Sequence, residues 1–320
     1  MALRPPALDL VAAFRRDTER LTGADARLGV AVSGGPDSLA LLLLAAEAFP
    51  GAVEAATVDH GLRPESVAEA ALVADICGRL GVPHAILTGD APIAGNVQSG
   101  ARSLRYRLLA GWAGERECDW ILTAHHRDDQ AETLLMRLNR GAGLSGLTGI
   151  RASARIADVG VARPLLGWQR ATLAGIAEAA GIDPVQDPTN EDERYDRARL
   201  RRRIAGSDWI DSAALARSSE ALAEAEAALE WTADRLVEER VDGVDGGVTL
   251  DPAGLPAELR RRLLLRMIAL LAPGEGPPRG EAVQRLLGAL DAGDTATLGG
   301  VKCSGGSVWR FVVAPPRTSP

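Results

Sequence analysis

Along the first half of the chain, compact apolar runs alternate with segments of helical spacing. The runs fall at 28–32 (LGVAV), 53–58 (VEAATV), 83–87 (PHAIL) and 119–124 (DWILTA), and the helical patterns cover about 37–48, 65–80, 99–114 and 128–140. Gly51, Gly81, Pro83 and Gly141 punctuate them. Short continuous apolar strands separated by helices are the pattern of βαβ units and a parallel sheet. The sequence therefore predicts an α/β, doubly wound, mostly parallel sheet. Right-handed crossovers would gather the loops that follow the strands along one edge, where open α/β sheets bind ligands.

Outside that alternation the pattern changes. The N-terminal MALRPPALDLVAAFRRD reads as an amphipathic helix, and RPLLGWQRATLAGIAEAAGI as a short extended piece and then a helix, followed by a loop over DPVQDPTNEDERYD. A long Ala/Glu/Leu helix is predicted from about 208 to 240, two more over 255–292 with PGEGPP between them, and a hairpin about Ser304-Gly305-Gly306. These features divide the chain into an α/β domain, 1–206, and a C-terminal, mainly helical domain, 207–320.

A length of 320 residues suits two domains. The longest apolar run, LALLLLAA, falls far short of the roughly 20 residues a bilayer needs, and the N-terminus lacks the pattern of a cleaved leader. These features predict a cytoplasmic protein with no membrane partner. Cys77, Cys118 and Cys303 are scattered and odd in number, which argues against a disulfide framework or a cysteine metal site. The net charge of −7 does not itself point to nucleic acid, but RYDRARLRRR, 194–203, concentrates six arginines. Such a tract can neutralise phosphates within an acidic protein.

Candidate chemistry begins where the first apolar run meets SGGPDS, Ser33 to Ser38. Gly34 and Gly35 permit close backbone approach, Pro36 stiffens the turn, and Asp37 and Ser38 enter the next helix, whose unpaired amides and dipole favour an anion. The alternative is an ordinary strand-to-helix turn. A P-loop ATPase would carry a lysine after the second glycine, and Lys302 is the only lysine in the chain. SGGPDS instead resembles the pyrophosphate loop of the ATP-pyrophosphatase superfamily.

The second run ends in VDHGLRPES, bringing Asp59, His60 and Arg63 to the same edge, where a capping pair is the bland reading. The fourth runs into AHHRDDQAETLLMRLNRGAGLSGLTGI, with His125 and His126 at the strand end and Asp128, Asp129 and Glu132 in the first helical turns. Helix capping competes for each acid alone, but three carboxylates beside a nucleotide could hold Mg²⁺ and a cationic substrate. Between these segments, Arg102, Arg105 and Tyr106 share one helical face, with solvated surface as the alternative.

DHGLRPES, ARSLRY, RPLL at 163–166, DPTN at 187–190 and above all HHRDDQAETLLMRL resemble the bacterial tRNA(Ile)-lysidine synthetases. Specific motifs cover about 28–203, with one departure: the family usually has an Arg-Asn pair where Arg197 is followed by Ala198. The resemblance implies an adenine nucleotide alpha hydrolase-like fold. It also implies a ligase that uses ATP to adenylate the C2 oxygen of the first anticodon cytidine of tRNA(Ile) with a CAU anticodon. Free L-lysine then displaces AMP to form lysidine.

Carried onto this chain, the resemblance has Ser33, Gly34, Gly35, Pro36, Asp37 and Ser38 holding pyrophosphate and His60 bordering the nucleotide. Asp37 and Asp129 are then candidates for Mg²⁺ or catalytic carboxylates, and His125 for a catalytic group. Arg102 and Arg105 would face the base, Asp128 and Glu132 would bind substrate, with the division of the acids between lysine and Mg²⁺ left open, and Arg199, Arg201 and Arg202 would face the tRNA. Whether the chain forms a homodimer is left open. Three rivals remain: a thiolase or ammonia-using synthetase of the same superfamily, a metal-dependent phosphohydrolase suggested by the His and Asp pairs, and a non-catalytic RNA-binding module.

Overall fold

A computed structural model describes residues 3–59, 65–89, 97–156, 158–185, 196–274, 276, 278 and 280–315. It opens with α1 (Leu8–Thr22), β1 (Leu28–Ala31), α2 (Pro36–Ala48), β2 (Val53–Asp59), α3 (Glu65–Leu80) and β3 (His84–Thr88). Then come α4 (Val97–Glu115), β4 (Trp120–Leu122), α5 (Arg127–Asn139), α6 (Leu144–Leu147), β5 (Ser153–Ile156) and β6 (Val159–Ala162). The elements up to α5 lie close to where the sequence places them.

These strands form one six-stranded sheet in the order β3-β2-β1-β4-β6-β5, parallel except for the edge strand β5. The chain winds outward from β1 through β2 to β3, then returns through α4 to place β4 on the other side of β1. The order thus reverses between β1 and β4, which opens a crevice at their C-terminal ends. α2 is apolar on every side, and Leu39 to Ala45 are all buried, so the run LALLLLAA is a central helix of the core. It packs against α1 and α7 (Arg170–Ala179). Across the sheet, Tyr106, Leu109 and Trp112 of α4 cover Ala56, Ile121 and Val161, so both faces are layered.

The β5–β6 hairpin is an addition to the sequence expectation. A second is α8 (Asp196–Ala205), formed by the arginine tract, which carries helix where the sequence marked only charge.

The glycine-rich tail after α5 has a structural task. Buried Gln130 accepts the Ile150 amide at 2.6 Å and donates to its carbonyl at 2.8 Å, while Arg137 Nη1 holds the carbonyls of Gly146 and Gly149. Gly149 has φ +67°, and a Cβ there would stand 2.3 Å from both Gln130 Oε1 and Ser219 Oγ. Gly149→Ala is therefore expected to destabilise the fold by about 1–3 kcal/mol. A lowered urea midpoint with unchanged slope checks this.

The remaining elements are α9 (Ser212–Arg240), β7 (Val241–Val244), β8 (Gly247–Leu250), α10 (Ala257–Leu271), α11 (Gly280–Asp291), β9 (Thr295–Leu298), β10 (Val301–Ser304) and β11 (Trp309–Val313). Contacts divide the chain into two compact units, Met1–Ala223 and Glu224–Pro320, so the division falls inside α9 rather than ahead of it near 207. In the second unit, α10 and α11 cover an antiparallel sheet ordered β7-β8-β11-β10-β9 over a core that includes Leu263, Met267, Leu290, Trp309 and Phe311. Only the β10–β11 hairpin of that sheet was expected. Buried Arg262 is paired there with Glu226, Glu230 and Glu258. Among the described residues no helix is long and apolar enough to cross a membrane.

Candidate active site

The site is assembled where β1 and β4 end. After β1 the chain turns through Ser33, Gly34 and Gly35. Gly34 takes φ +84°, a conformation that strongly favours glycine, and its carbonyl accepts the Val185 amide at 3.1 Å. Gly35 is extended and precedes Pro36 at the start of α2. The Ser38 hydroxyl accepts the Ser33 amide at 3.1 Å and donates to the Gly35 carbonyl at 3.0 Å. Its role here is to lock the loop, leaving the amides of the first helical turn for an anion.

Asp37, in that first turn, faces the loop after β4. Its Oδ2 lies 3.5 Å from His126 Nε2, and its Oδ1 is buried without a hydrogen-bond partner. His126 is 2% exposed and also meets Asp128 at 3.6 Å through Nδ1 and Asp129 at 3.6 Å through Nε2. Burial opposes its charge, but the Asp128, Asp37 and Asp129 carboxylates outweigh burial and push its pKa up to about 9. His126 is thus an imidazolium that gathers three acids. His126 also caps α5, where Asp129 Oδ2 accepts the His126 amide at 3.0 Å. Asp128, drawn down to about 2 chiefly by His126, accepts the Arg170 amide at 3.1 Å.

α8 brings two arginines onto the same acids. Arg197 donates from Nε to Glu132 Oε2 at 2.7 Å and from Nη2 to Asp129 Oδ1 at 2.6 Å. Arg201 donates to both Glu132 oxygens, at 2.7 and 3.2 Å. Burial raises the Glu132 pKa, but the two guanidinium groups overcome that and hold it below the usual carboxylate range.

A cationic flank lies beside this cluster. Arg102 and Arg105 of α4 stack on the Tyr106 ring with Cζ 5.1 and 5.5 Å from its centroid. Buried Arg163 binds the Arg151 carbonyl at 2.8 Å, while Arg163 Nε and the Tyr106 hydroxyl have no hydrogen-bond partner. His125 Nδ1 sits 3.0 Å from Thr123 Oγ1. Burial first, then Arg163, Arg105, Arg102 and Arg197, push its pKa down to about 3, so it is neutral at physiological pH. One crevice edge is therefore acidic and the other basic.

The structure brings Ser33 to Ser38, Asp37, Asp128, Asp129 and Glu132 together, with Arg102, Arg105 and His125 on the basic flank. His60 and DPTN lie outside the described residues. Asp59 accepts the Ser66 hydroxyl at 2.7 Å and ties the strand end to α3. Arg201, expected at the tRNA, is placed differently from Arg199 and Arg202. It faces inward on Glu132, because a turn of helix sets Arg197 and Arg201 on one side while Arg199 and Arg202 stay exposed on α8. Sequence reasoning placed His126 at the strand end without a site role and did not foresee that Arg197 pairs with Glu132 and Asp129. Helical spacing within the arginine tract was the signal available for the latter.

Among the described residues no group of three or more His, Cys, Asp or Glu side chains is arranged to hold a metal. Mg²⁺ is ordinarily held by one or two carboxylates together with substrate phosphates. The unpartnered Asp37 Oδ1 and the approach of Asp37 and Asp129 to one His126 nitrogen suit that mode.

Residues 11–207 match the family model of the PP-loop domain. The U34-tRNA thiolase NcsA from Methanococcus maripaludis shares the fold, with a TM-score of 0.54 at 18% identity over 68% of this chain and 80% of that one. A tRNA(Ile)-lysidine synthase from Zymomonas mobilis is 46% identical over 91% of this chain and 89% of its own length. Another from Novosphingobium aromaticivorans is 46% identical over 96% and 94%. Similarity of that degree across nearly the whole of both chains shows that this protein belongs to the tRNA(Ile)-lysidine synthase family, with a PP-loop domain as its N-terminal part.

Proposed function

We propose that this enzyme converts the first anticodon cytidine of a tRNA(Ile) bearing a CAU anticodon to lysidine. In the first step the C2 oxygen of the base attacks the α-phosphorus of ATP and pyrophosphate leaves. In the second the ε-amine of free lysine attacks C2, and AMP departs with the oxygen. The observation that carries this reading is the two-sided crevice: loop amides and acids on one edge, arginines on the other. The reaction places the enzyme with its tRNA in the cytoplasm.

The amides at the start of α2 would receive the pyrophosphate, and Arg102 and Arg105 would border the base. Asp37 and Asp129 would hold Mg²⁺, which when bound neutralises phosphate charge. His125, neutral and anchored on Thr123, would orient substrate through Nε2 rather than exchange protons near pH 7. Lysine must shed a proton before attack, which at neutral pH costs roughly 4–5 kcal/mol from a pKa of about 10.4. Carboxylates beside the amine raise that pKa further, so Asp128 and Glu132 would position the amine and accept its proton late.

The cysteines argue against sulfur transfer. Cys77, Cys118 and Cys303 are buried, and burial pushes their pKa values up to about 12, 11 and 12, leaving no accessible thiolate nucleophile among them. Incubation with Mg-ATP, radiolabelled lysine and a CAU-anticodon tRNA(Ile) transcript tests the proposal. Base-stable label in tRNA with matching AMP is expected. AMP without incorporated lysine would overturn the amine step, and inorganic phosphate in place of both products would point to a phosphohydrolase.

A further inference from the structure

Glu132, one of the two carboxylates assigned to the amine, already holds cations of the protein itself. Glu132 is 2% exposed, yet both its oxygens accept guanidinium hydrogen bonds, from Arg201 Nε at 2.7 Å and Arg197 Nε at 2.7 Å. Asp129 gives one oxygen to Arg197 Nη2 and the other to the His126 amide. An entering ammonium would find both Glu132 oxygens engaged. A rigid guanidinium fork on a carboxylate is also a strong competitor for a point-charge ammonium.

We propose that α8 is a built-in competitor for the amine subsite: Arg197 and Arg201 occupy Glu132 until RNA binding draws α8 away. This rests on the reading that Glu132 receives lysine. The arginine side chains are 42% and 27% exposed, so both have a route to solvent that Glu132 lacks. Arg199, Arg202 and Arg203 are exposed on the same helix, where polyanionic RNA can engage it. Tethering gives the two guanidinium groups an effective concentration of millimolar order or above, which disfavours entry of free lysine before RNA arrives. The device would set the order of events, with activation of the base preceding admission of the amine.

Equilibrium dialysis of radiolabelled lysine against the full-length protein, with and without the tRNA transcript and without ATP, tests this. For the wild type, tRNA should tighten lysine binding by about tenfold or more. The Arg197→Gln/Arg201→Gln variant should bind lysine at the tightened level without tRNA, and tRNA should add nothing. Lysine should also raise the melting temperature of that variant but not of the RNA-free wild type, a readout that survives partial destabilisation. Arg201→Lys, which keeps charge but loses the fork, should lie between the two. Equal lysine affinity in wild type and double variant would overturn the competition, provided Glu132→Gln still weakens lysine binding in the tRNA complex. If Glu132→Gln changes nothing in that complex, the assignment of the amine to Glu132 fails instead.

Discussion

Asp37→Ala should abolish release of AMP and pyrophosphate while leaving tRNA affinity largely intact. Asp37 occupies the first turn of α2, beside the loop amides, with Oδ2 toward His126 and Oδ1 buried and unpartnered. It is placed to act on phosphate chemistry through a cation. Loss of one preorganised electrostatic stabiliser costs about 10²–10³ in rate, and loss of an acid that also holds the metal should exceed that. The fold should survive. Removing an acid from a helix N-terminus costs about 0.3–1 kcal/mol, and removing a buried unpartnered oxygen offsets about 1–3 kcal/mol of desolvation. Asp37→Asn should be nearly as inactive, because it keeps the shape and loses the charge. Normal AMP release by either folded variant, measured with saturating tRNA and Mg-ATP, would remove Asp37 from the site.

What could be foreseen of this molecule follows from which interactions leave a periodic trace. Central parallel strands are buried on both faces, so LGVAV and the runs after it are legible as strands. The loops that follow them are then placed at one edge by handedness alone. SGGPDS and HHRDDQAE could be assigned to that edge before any contact was known. The β5–β6 hairpin was not legible, because each of its strands is only four residues long and an edge strand needs only one pairing. The β7–β8 hairpin is likewise short and rich in Asp and Gly, and its partner strand β11 comes from a distant part of the chain.

α8 was hidden for a different reason. Six arginines in ten residues carry little apolar signal, and the tract's inward face is defined by Asp129 and Glu132 of α5. Its ordering is electrostatic and long-range. The adjacent histidines were ambiguous for a local reason, since both stand at a strand end. Only the point where α5 begins decides that His126 caps the helix among acids while His125 stays with Thr123 among arginines.

That separation makes the ligand-free protein lose stability as pH rises from about 6.5 through about 9. His126 has its folded-state pKa raised to about 9 from an unfolded value of 6.5. Below 6.5 the imidazole is protonated in both states, and its attraction to Asp37, Asp128 and Asp129 contributes fully. As pH climbs, the unfolded state gives up the proton first, so unfolding becomes progressively easier. Above about 9 the contribution is gone. At about 1.36 kcal/mol per pKa unit the loss is on the order of 3 kcal/mol. Urea unfolding of the wild type at about pH 6 and about pH 9.5 should show it. His126→Gln should be less stable at the lower pH and fall less steeply across the window, its remaining slope coming from Cys77, Cys118 and Cys303, whose thiols burial holds protonated in the fold. A wild-type stability that stays level, or rises, between those pH values would mean that His126 is neutral in the fold. Its three acids would then need another source of positive charge.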